Sequence, residues 1–269
     1  TNINNTAGKM GASGDVALIS NNLTNSAGQI TAGGTLNAQI AGVVLNDNGV
    51  LASAGQQTLN ANSIDNSSGQ IASSAASVTV QSNGTVNNTQ GTIQSLTTTQ
   101  LTSTAVNNTD GIIDGGTVAV NTQGQTLNNT RGHINGDSTD ISSGTLSNDA
   151  GLIQGTHSVT INTHAQALTN NNSDTTGGIV SGGTLDIHSG DVSNAAGSIQ
   201  AQSTLDLSST ALNNTNGKIN ASTTHIDTQG QTLNNTNGQI NSDTLSLNSG
   251  ALNNDAGLIQ GTQGVDINT

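Results

Sequence analysis

The feature that most constrains this chain is a repeat of about 20 residues that occurs 13 times. In the standard repeat an aliphatic residue is followed by Asn two positions later, Gly five positions later and a second apolar residue seven positions later, as in LNNTNGQI at 233–240. Successive repeats begin 19 to 22 residues apart, with one spacing of 24. The opening residues are Ile3, Leu23, Val44, Ile64, Val86, Val106, Leu127, Leu146, Leu168, Val192, Leu212, Leu233 and Leu252. Such regularity predicts an architecture in which each repeat stacks on its neighbours.

Apolar and polar residues alternate within each repeat, which indicates strands rather than helices. Most repeats end in an apolar pair such as Val118/Val120 or Leu185/Ile187. Asn-Gly between apolar runs is also a hairpin signal, so an antiparallel meander is the alternative fold. A meander gives no reason for the repeat length, whereas a parallel solenoid makes each repeat one coil, with equivalent residues about 4.8 Å apart. We therefore predict an all-β fold, a single-stranded parallel β-helix solenoid of about 13 coils that is continuous over residues 1–269.

The Asn of the repeat is predicted to point into the coil, because it lies two residues after the opening aliphatic residue and shares its face of the strand. A buried amide without partners is destabilising. Stacking identical Asn residues solves this problem, since each amide donates to one neighbour and accepts from the other. We therefore predict an inward ladder of Asn5, Asn25, Asn46, Asn66, Asn88, Asn108, Asn129, Asn148, Asn170, Asn194, Asn214, Asn235 and Asn254.

The Gly of the repeat fits either a bend with positive φ or a close passage of the next coil. One repeat departs from the pattern. After Leu168, about five extra residues within Asn170–Gly178 shift the predicted Gly to Gly178 and the second apolar residue to Val180. This insertion at 170–178 is the best candidate for a recognition loop, because loops on rigid scaffolds often carry recognition. An insertion without function is the alternative.

A second regularity links distant repeats. TQGQTLNNT occurs at 122–130 and 228–236, and NDAGLIQGT occurs at 148–156 and 254–262. Both offsets are 106 residues, or five repeats, which indicates that a block of five was duplicated.

Composition excludes several classes of function. The chain has 16 Asp and no Glu, only three Lys plus Arg, and a net charge of −13, so it cannot neutralise a nucleic-acid backbone. The same charge argues against binding to anionic membranes, and no apolar run approaches the roughly 20 residues of a membrane-spanning helix. Phe, Trp, Tyr, Cys and Pro are absent, which excludes disulfides and the aromatic-lined grooves of sugar-cleaving enzymes. We predict no enzyme activity and no cofactor.

One outward column of charged residues is a candidate cation site. Asp186 and Asp206, and then His225, are predicted to occupy the middle of the closing strand in successive coils. Stacked like charges repel each other, and a bound cation would relieve that repulsion. The alternative interpretation is a solvated surface without a ligand.

The repeats, read as aliphatic-x-Asn-x-x-Gly-x-Ile followed by TLxL, resemble the haemagglutinin repeats of filamentous-haemagglutinin-type exoproteins. That family comprises the secreted partners of two-partner secretion systems in Gram-negative bacteria, including adhesins and contact-dependent growth-inhibition effectors. The resemblance covers essentially the whole chain. It implies a right-handed β-helix in a secreted, cell-surface filament, and an outer-membrane two-partner-secretion transporter as partner.

Three functions remain as hypotheses. Because the chain begins and ends in phase with the repeat, we expect a fragment of a longer array that acts as a structural stalk supporting adhesion, contact-dependent inhibition or virulence. The alternative is a direct adhesive module that binds carbohydrate or a protein of a host or neighbouring cell through a flank or the 170–178 loop. The third hypothesis is an ice-binding β-helix. It would need a flat array of Thr-x-Thr in register, and the chain argues against it because Thr97–Thr99 is isolated in its coil.

Overall fold

The structure, a computed structural model, describes residues 1–173 and 177–269. The described residues form 35 strands and no helix. The strands pair in parallel, for example Asn22–Thr24 with Val43–Leu45 and Gln29–Ala32 with Val50–Ser53. They build about 13 turns of β-solenoid, which confirms the predicted fold and excludes the antiparallel meander. Among these residues there is no helix with the length and apolarity needed to cross a membrane. Contacts divide the chain into two compact units: unit 1 comprises residues 1–128 and 132–136, and unit 2 comprises residues 129–131 and 137–269.

Each coil of unit 1 contains three short strands. The first strand carries the opening aliphatic residue, the second follows the Gly, and the third carries the closing pair. The first strands are β1 (Asn2–Asn4), β4 (Asn22–Thr24), β7 (Val43–Leu45), β10 (Ser63–Asp65), β13 (Thr85–Asn87), β16 (Ala105–Asn107) and β19 (Leu127–Asn128). The second strands are β2 (Lys9–Ala12), β5 (Gln29–Ala32), β8 (Val50–Ser53), β11 (Gln70–Ser73), β14 (Thr92–Ser95), β17 (Ile112–Asp114) and the start of β20 (His133–Ser142). The third strands are β3 (Val16–Ser20), β6 (Leu36–Ile40), β9 (Gln57–Ala61), β12 (Val78–Ser82), β15 (Thr98–Thr102) and β18 (Thr117–Asn121).

Unit 2 follows the same plan, except that the second and third strands merge in some coils. The first strands are β21 (Leu146–Ser147), β23 (Leu168–Thr169), β26 (Asp191–Ser193), β29 (Ala211–Asn213), β32 (Thr232–Asn234) and β34 (Ala251–Asn253). The merged strands are the rest of β20, β22 (Leu152–Asn162), β33 (Gln239–Asn248) and β35 (Leu258–Asn268). The second and third strands that remain separate are β24 (Gly178–Ser181), β25 (Thr184–His188), β27 (Ser198–Ala201), β28 (Thr204–Ser208), β30 (Lys218–Asn220) and β31 (Thr223–Asp227).

The core of each unit is a narrow interior. In most coils it is filled by one aliphatic residue from the first strand, one from the second and two from the third. In the coil that opens at Leu23, the side chains of Leu23, Ile30 and Leu36 are fully buried. Leu23 lies in register with Val44, and Ile30 lies in register with Leu51, so like residues stack from coil to coil. Each fully buried aliphatic side chain contributes about 1.5–3 kcal/mol.

The repeat that opens at Leu168 has a different register from the predicted one. Leu152 pairs with Gly178 and Ile153 pairs with Ile179, so Gly177 takes the Gly position and Ile179 is the buried apolar residue. The assignments of Gly178 and Val180 were therefore wrong by one residue. Two adjacent glycines made the two registers indistinguishable by spacing, and burial of Ile179 in place of the half-buried Val180 decides between them. Residues 174–176 of the predicted 170–178 loop lie outside the described residues.

Gln57 is a polar residue in an apolar column of the core. Its side chain is fully buried on the third strand, in register with Leu36 on one side and Val78 on the other. Neither its Nε2 nor its Oε1 has a hydrogen-bond partner among the described residues. Thr99, two coils further along the same column, instead donates to the carbonyl oxygen of Asp114 at 2.6 Å. Gln57 is therefore the unsatisfied member of this column.

Replacing Gln57 with Leu is expected to raise the free energy of unfolding by about 1–3 kcal/mol, because it removes an unpaired buried amide and adds apolar burial. The measurement is urea unfolding followed by far-ultraviolet circular dichroism. Gln100→Leu, at an exposed position of β15, is the matched control and should change stability by less than about 0.5 kcal/mol. A Gln57→Leu variant less stable than the unsubstituted chain would contradict the expectation.

Candidate functional site

The most extensive constellation of polar side chains is an inner ladder formed by the Asn of each repeat. In unit 1, Nδ2 of each Asn donates to Oδ1 of the Asn in the following coil at 2.7 Å, for the series Asn5, Asn25, Asn46, Asn66, Asn88 and Asn108. In unit 2 the same bonds measure 2.7–2.8 Å, for the series Asn129, Asn148, Asn170, Asn194, Asn214, Asn235 and Asn254. In these two series the 12 residues from Asn5 to Asn235 are buried, and Asn254 is exposed.

Each ladder amide also binds the backbone of its surroundings. Nδ2 of Asn66 donates to the carbonyl oxygen of Gly69 in its own coil and to that of Thr92 in the next coil, both at 3.2 Å. Its Oδ1 accepts from Nδ2 of Asn46 at 2.7 Å. Both hydrogens and the oxygen of the amide are therefore used, although the side chain is fully buried. An Asp at this position could accept but not donate.

Two residues with different roles form the corner that follows the ladder Asn. The residue before the Gly adopts a left-handed conformation in the 12 repeats without the insertion, with φ between 51° and 57°, as at Ser68 and Asn237. In the Leu168 repeat, Asn172 has a φ of 55° at the same distance from the ladder Asn. The Gly itself is required by close passage. A Cβ on Gly69 would lie 2.7 Å from Oδ1 of Asn66 and would overlap the carbonyl oxygen of Asn46 in the preceding coil. Of the two reasons considered for the Gly, close passage therefore applies.

A second, outer ladder lies on the solvent side of the first strands and was missed by sequence reasoning. In unit 1, Oγ1 of Thr89 donates to Oδ1 of Asn87 at 2.6 Å, and Nδ2 of Asn107 donates to Oγ1 of Thr89 at 3.0 Å. Thr109 and Asn128 continue the same pattern at 2.7 and 3.1 Å. In unit 2 it recurs in the series Asn213, Thr215, Asn234, Thr236 and Asn253. The signal was present in the sequence, because these repeats read Asn-Asn-Thr.

The candidate cation column has the predicted register. Asp186 lies beside Asp206, and Asp206 lies beside His225, on the third strands of unit 2. Nδ1 of His188 approaches Oδ1 of Asp186 at 2.9 Å, and both side chains are about half exposed. Within the described residues, no group of three or more His, Cys, Asp or Glu side chains is arranged to hold a metal ion. Cation binding by Asp186, Asp206 and His225 therefore stays a prediction.

Two carboxyl groups in unit 1 have shifted pKa values. The backbone N–H of Thr35 donates to Oδ1 of Asp15 at 2.7 Å, and this bond lowers the pKa of Asp15 below its usual range. Partial burial raises the pKa of Asp114, and the backbone N–H of Gly115 partly offsets that rise. Each shift is explained by local burial or a single backbone bond, so neither indicates an acid–base pair.

The comparisons with known proteins give one family match. A family model described as a haemagglutinin repeat matches residues 1–52, 154–231 and 217–269, which together make up more than half of the chain. No curated protein matches the chain. No solved structure matches it either.

Proposed function

The chain belongs to the haemagglutinin-repeat family, and from this premise we propose that it is a structural stalk segment of a filamentous, adhesin-type exoprotein at the surface of a Gram-negative bacterium. In this role it holds a distant adhesive or growth-inhibitory part away from the cell that displays it. The proposal includes export through an outer-membrane two-partner-secretion transporter.

The inner ladder is the observation that carries this proposal. It recurs with bond lengths of 2.7–2.8 Å within each unit, and a buried rung such as Asn66 uses both amide hydrogens and its oxygen. An arrangement in which every coil repeats the same buried bonds is suited to length and stiffness, because stability grows with the interfaces between neighbouring coils. It is not suited to chemistry, which requires unlike residues to converge at one place.

A deletion that keeps the phase of the repeat tests the stalk. Removing residues 149–254 joins Asn148 to Asp255 and restores NDAGLIQGT, since that sequence occurs at both ends of the deleted block. The deletion removes five coils of unit 2. With the chain anchored through Thr1 and a fluorescent module placed after Thr269, the module should move about 24 Å closer to the surface, at about 4.8 Å per coil.

The control for this deletion is removal of residues 149–244, which breaks the phase and joins unlike positions of the repeat. That variant should lose its cooperative unfolding transition, whereas the in-phase variant should keep it. The stalk is contradicted if the in-phase deletion leaves the height of the module unchanged, because a flexible tether rather than a stiff segment would then set the distance.

Direct adhesion is the second candidate, and the insertion in the Leu168 repeat favours it. Asn170 keeps its place in the inner ladder, with Nδ2 donating to Oδ1 of Asn194 at 2.8 Å, and the standard pattern resumes at Gly177. Removing residues 173–176 would therefore restore the standard spacing from Leu168 to Ile179. We expect this excision to leave both the unfolding midpoint and target-cell binding of the displayed exoprotein unchanged. Loss of cell binding with the midpoint retained would instead assign adhesion to the insertion.

A further inference from the structure

One column of the core in unit 1 places a satisfied and an unsatisfied polar side chain at equivalent positions. The first inward residues of successive third strands lie in register in the order Leu36, Gln57, Val78, Thr99 and Val118. All five are fully buried, and three of them are aliphatic. The coil of residues 44–63, here the Gln57 coil, can therefore be compared directly with the coil of residues 86–105, here the Thr99 coil.

In the Thr99 coil, the corner between the second and third strands supplies the missing partners. Oγ1 of Thr99 lies 2.9 Å from Oγ of Ser95 in the same coil. It also donates to the carbonyl oxygen of Asp114 in the next coil at 2.6 Å. A polar residue in this column is therefore tolerated where the corner offers groups that can bind it.

The corner of the Gln57 coil uses its hydroxyl groups within itself. Ser53 is the equivalent of Ser95, but its Oγ donates to the carbonyl oxygen of Gly55 at 2.7 Å. Oγ of Ser73, in the next coil, donates to the same oxygen at 2.7 Å. Nε2 and Oε1 of Gln57 have no hydrogen-bond partner in the part of the chain that the structure describes.

Packing on one side of the Gln57 coil is also reduced. Leu59, the second inward residue of the same strand, lies in register with Ala38 of the preceding coil and with Val80 of the following coil. All three side chains are fully buried, and Ala38 is the smallest of them. The interface with the preceding coil therefore combines an unpaired amide with the loss of apolar burial that a larger aliphatic residue would provide.

Both features lower the free energy needed to open this coil. The stability of a solenoid is approximately the sum of terms for each coil and for its interfaces with its neighbours. A buried amide without a partner destabilises the closed coil, and water satisfies that amide once the coil opens. Local opening is therefore more frequent here than in an equivalent coil whose buried polar groups are paired.

We propose that the Gln57 coil is a yielding point of unit 1, which opens before equivalent coils that also have a neighbour on each side. The use of such a point rests on the proposed stalk function. An opened coil of about 20 residues can extend to roughly 65 Å, whereas a closed coil adds only about 4.8 Å to the stack. A stalk under tension would then lengthen at this coil while the paired coils stay closed.

Native-state hydrogen exchange of the full chain, measured residue by residue by nuclear magnetic resonance, is the test. The backbone N–H groups of Asn46 and Asn88 are matched probes, because they occupy equivalent positions in the two coils and each donates to a carbonyl oxygen at 2.7 Å. The protection factor of Asn46 should be about tenfold lower than that of Asn88, which corresponds to about 1.4 kcal/mol. Gln57→Leu should bring the two protection factors within about twofold of each other. Gln100→Leu, at an exposed position of β15, should leave the tenfold difference in place.

Two results would overturn the yielding point. One is equal protection of Asn46 and Asn88 in the unsubstituted chain, as expected if a bound water molecule satisfies Gln57. The other is a tenfold difference that persists in Gln57→Leu while far-ultraviolet circular dichroism shows a folded chain, because fraying of the coils before residue 44 would then explain it. Exchange is measured on the free chain, so either result leaves the stalk to be judged by the deletion of residues 149–254, which removes coils of unit 2 only.

Discussion

Replacing Gly69 with Ala is expected to lower the free energy of unfolding by at least about 3 kcal/mol, at the upper end of overpacking effects. The added Cβ would overlap the carbonyl oxygen of Asn46 and would lie 2.7 Å from Oδ1 of Asn66. Both atoms belong to the neighbouring parts of the inner ladder, so neither can move without lengthening its bonds. The backbone N–H of Gly69 also donates to the carbonyl oxygen of Asn66 at 2.9 Å, which fixes the corner on its own side.

Urea unfolding followed by far-ultraviolet circular dichroism is the measurement, because the chain has no aromatic residue to serve as a fluorescence probe. Gly14→Ala is the matched control, since a Cβ there meets no atom within 4 Å. It should change stability by less than about 0.5 kcal/mol. Equal destabilisation by the two substitutions would show that loss of backbone flexibility, and not close passage of coils, explains the Gly of the repeat.

Much of the fold was predictable because one short rule is repeated in every coil. In LNNTNGQI, the spacing of Leu233, Asn235 and Ile240 places all three on interior faces, and the structure has them buried. Parallel stacking was predictable because stacked coils place each residue beside the equivalent residue of the next repeat. The interior is too narrow for a single coil to be stable alone, so the same argument that predicts the coil also predicts its neighbours.

Other features depend on register and backbone geometry, which a linear pattern does not contain. Asn234 and Thr236 face solvent, and only the stacking distance shows that Nδ2 of Asn234 reaches Oγ1 of Thr215 at 3.1 Å. Positive φ lies at Asn237, whereas the sequence offered positive φ at the neighbouring Gly as one of two reasons for that residue, because Gly is the usual residue in that conformation. The error at Gly178 had a similar source, since spacing alone cannot choose between two consecutive glycines.

Prediction of the candidate sites was less successful than prediction of the fold. The column of Asp186, Asp206 and His225 was predictable, because outward residues of a third strand follow the same register as the core.

Replacing Asn66 with Asp is expected to destabilise the chain by about 3–5 kcal/mol at neutral pH, as for an uncompensated buried charge. The carboxylate could still accept from Nδ2 of Asn46, but it would have no hydrogen for Oδ1 of Asn88, the carbonyl oxygen of Gly69 or that of Thr92. Two oxygens would then face each other where Asn66 and Asn88 now share a bond of 2.7 Å. The ladder would be interrupted at one rung, inside a fully buried column.

The loss of stability in the Asn66→Asp variant should depend on pH. This dependence distinguishes loss of the hydrogen-bond donor from a poor steric fit of the new side chain. Burial raises the pKa of the introduced carboxyl in the folded state above the value of about 3.9 in the unfolded chain. The folded state then binds the proton more tightly, so the variant gains stability relative to the unsubstituted chain as pH falls through the raised pKa. A protonated carboxyl also recovers one donor for Oδ1 of Asn88. Asn37→Asp, at an exposed position where Oδ1 only accepts from Gln39, should show a difference below about 0.5 kcal/mol at every pH. If the loss of stability caused by Asn66→Asp stays constant from neutral to acidic pH, the donor explanation is wrong, because a purely steric effect does not depend on protonation.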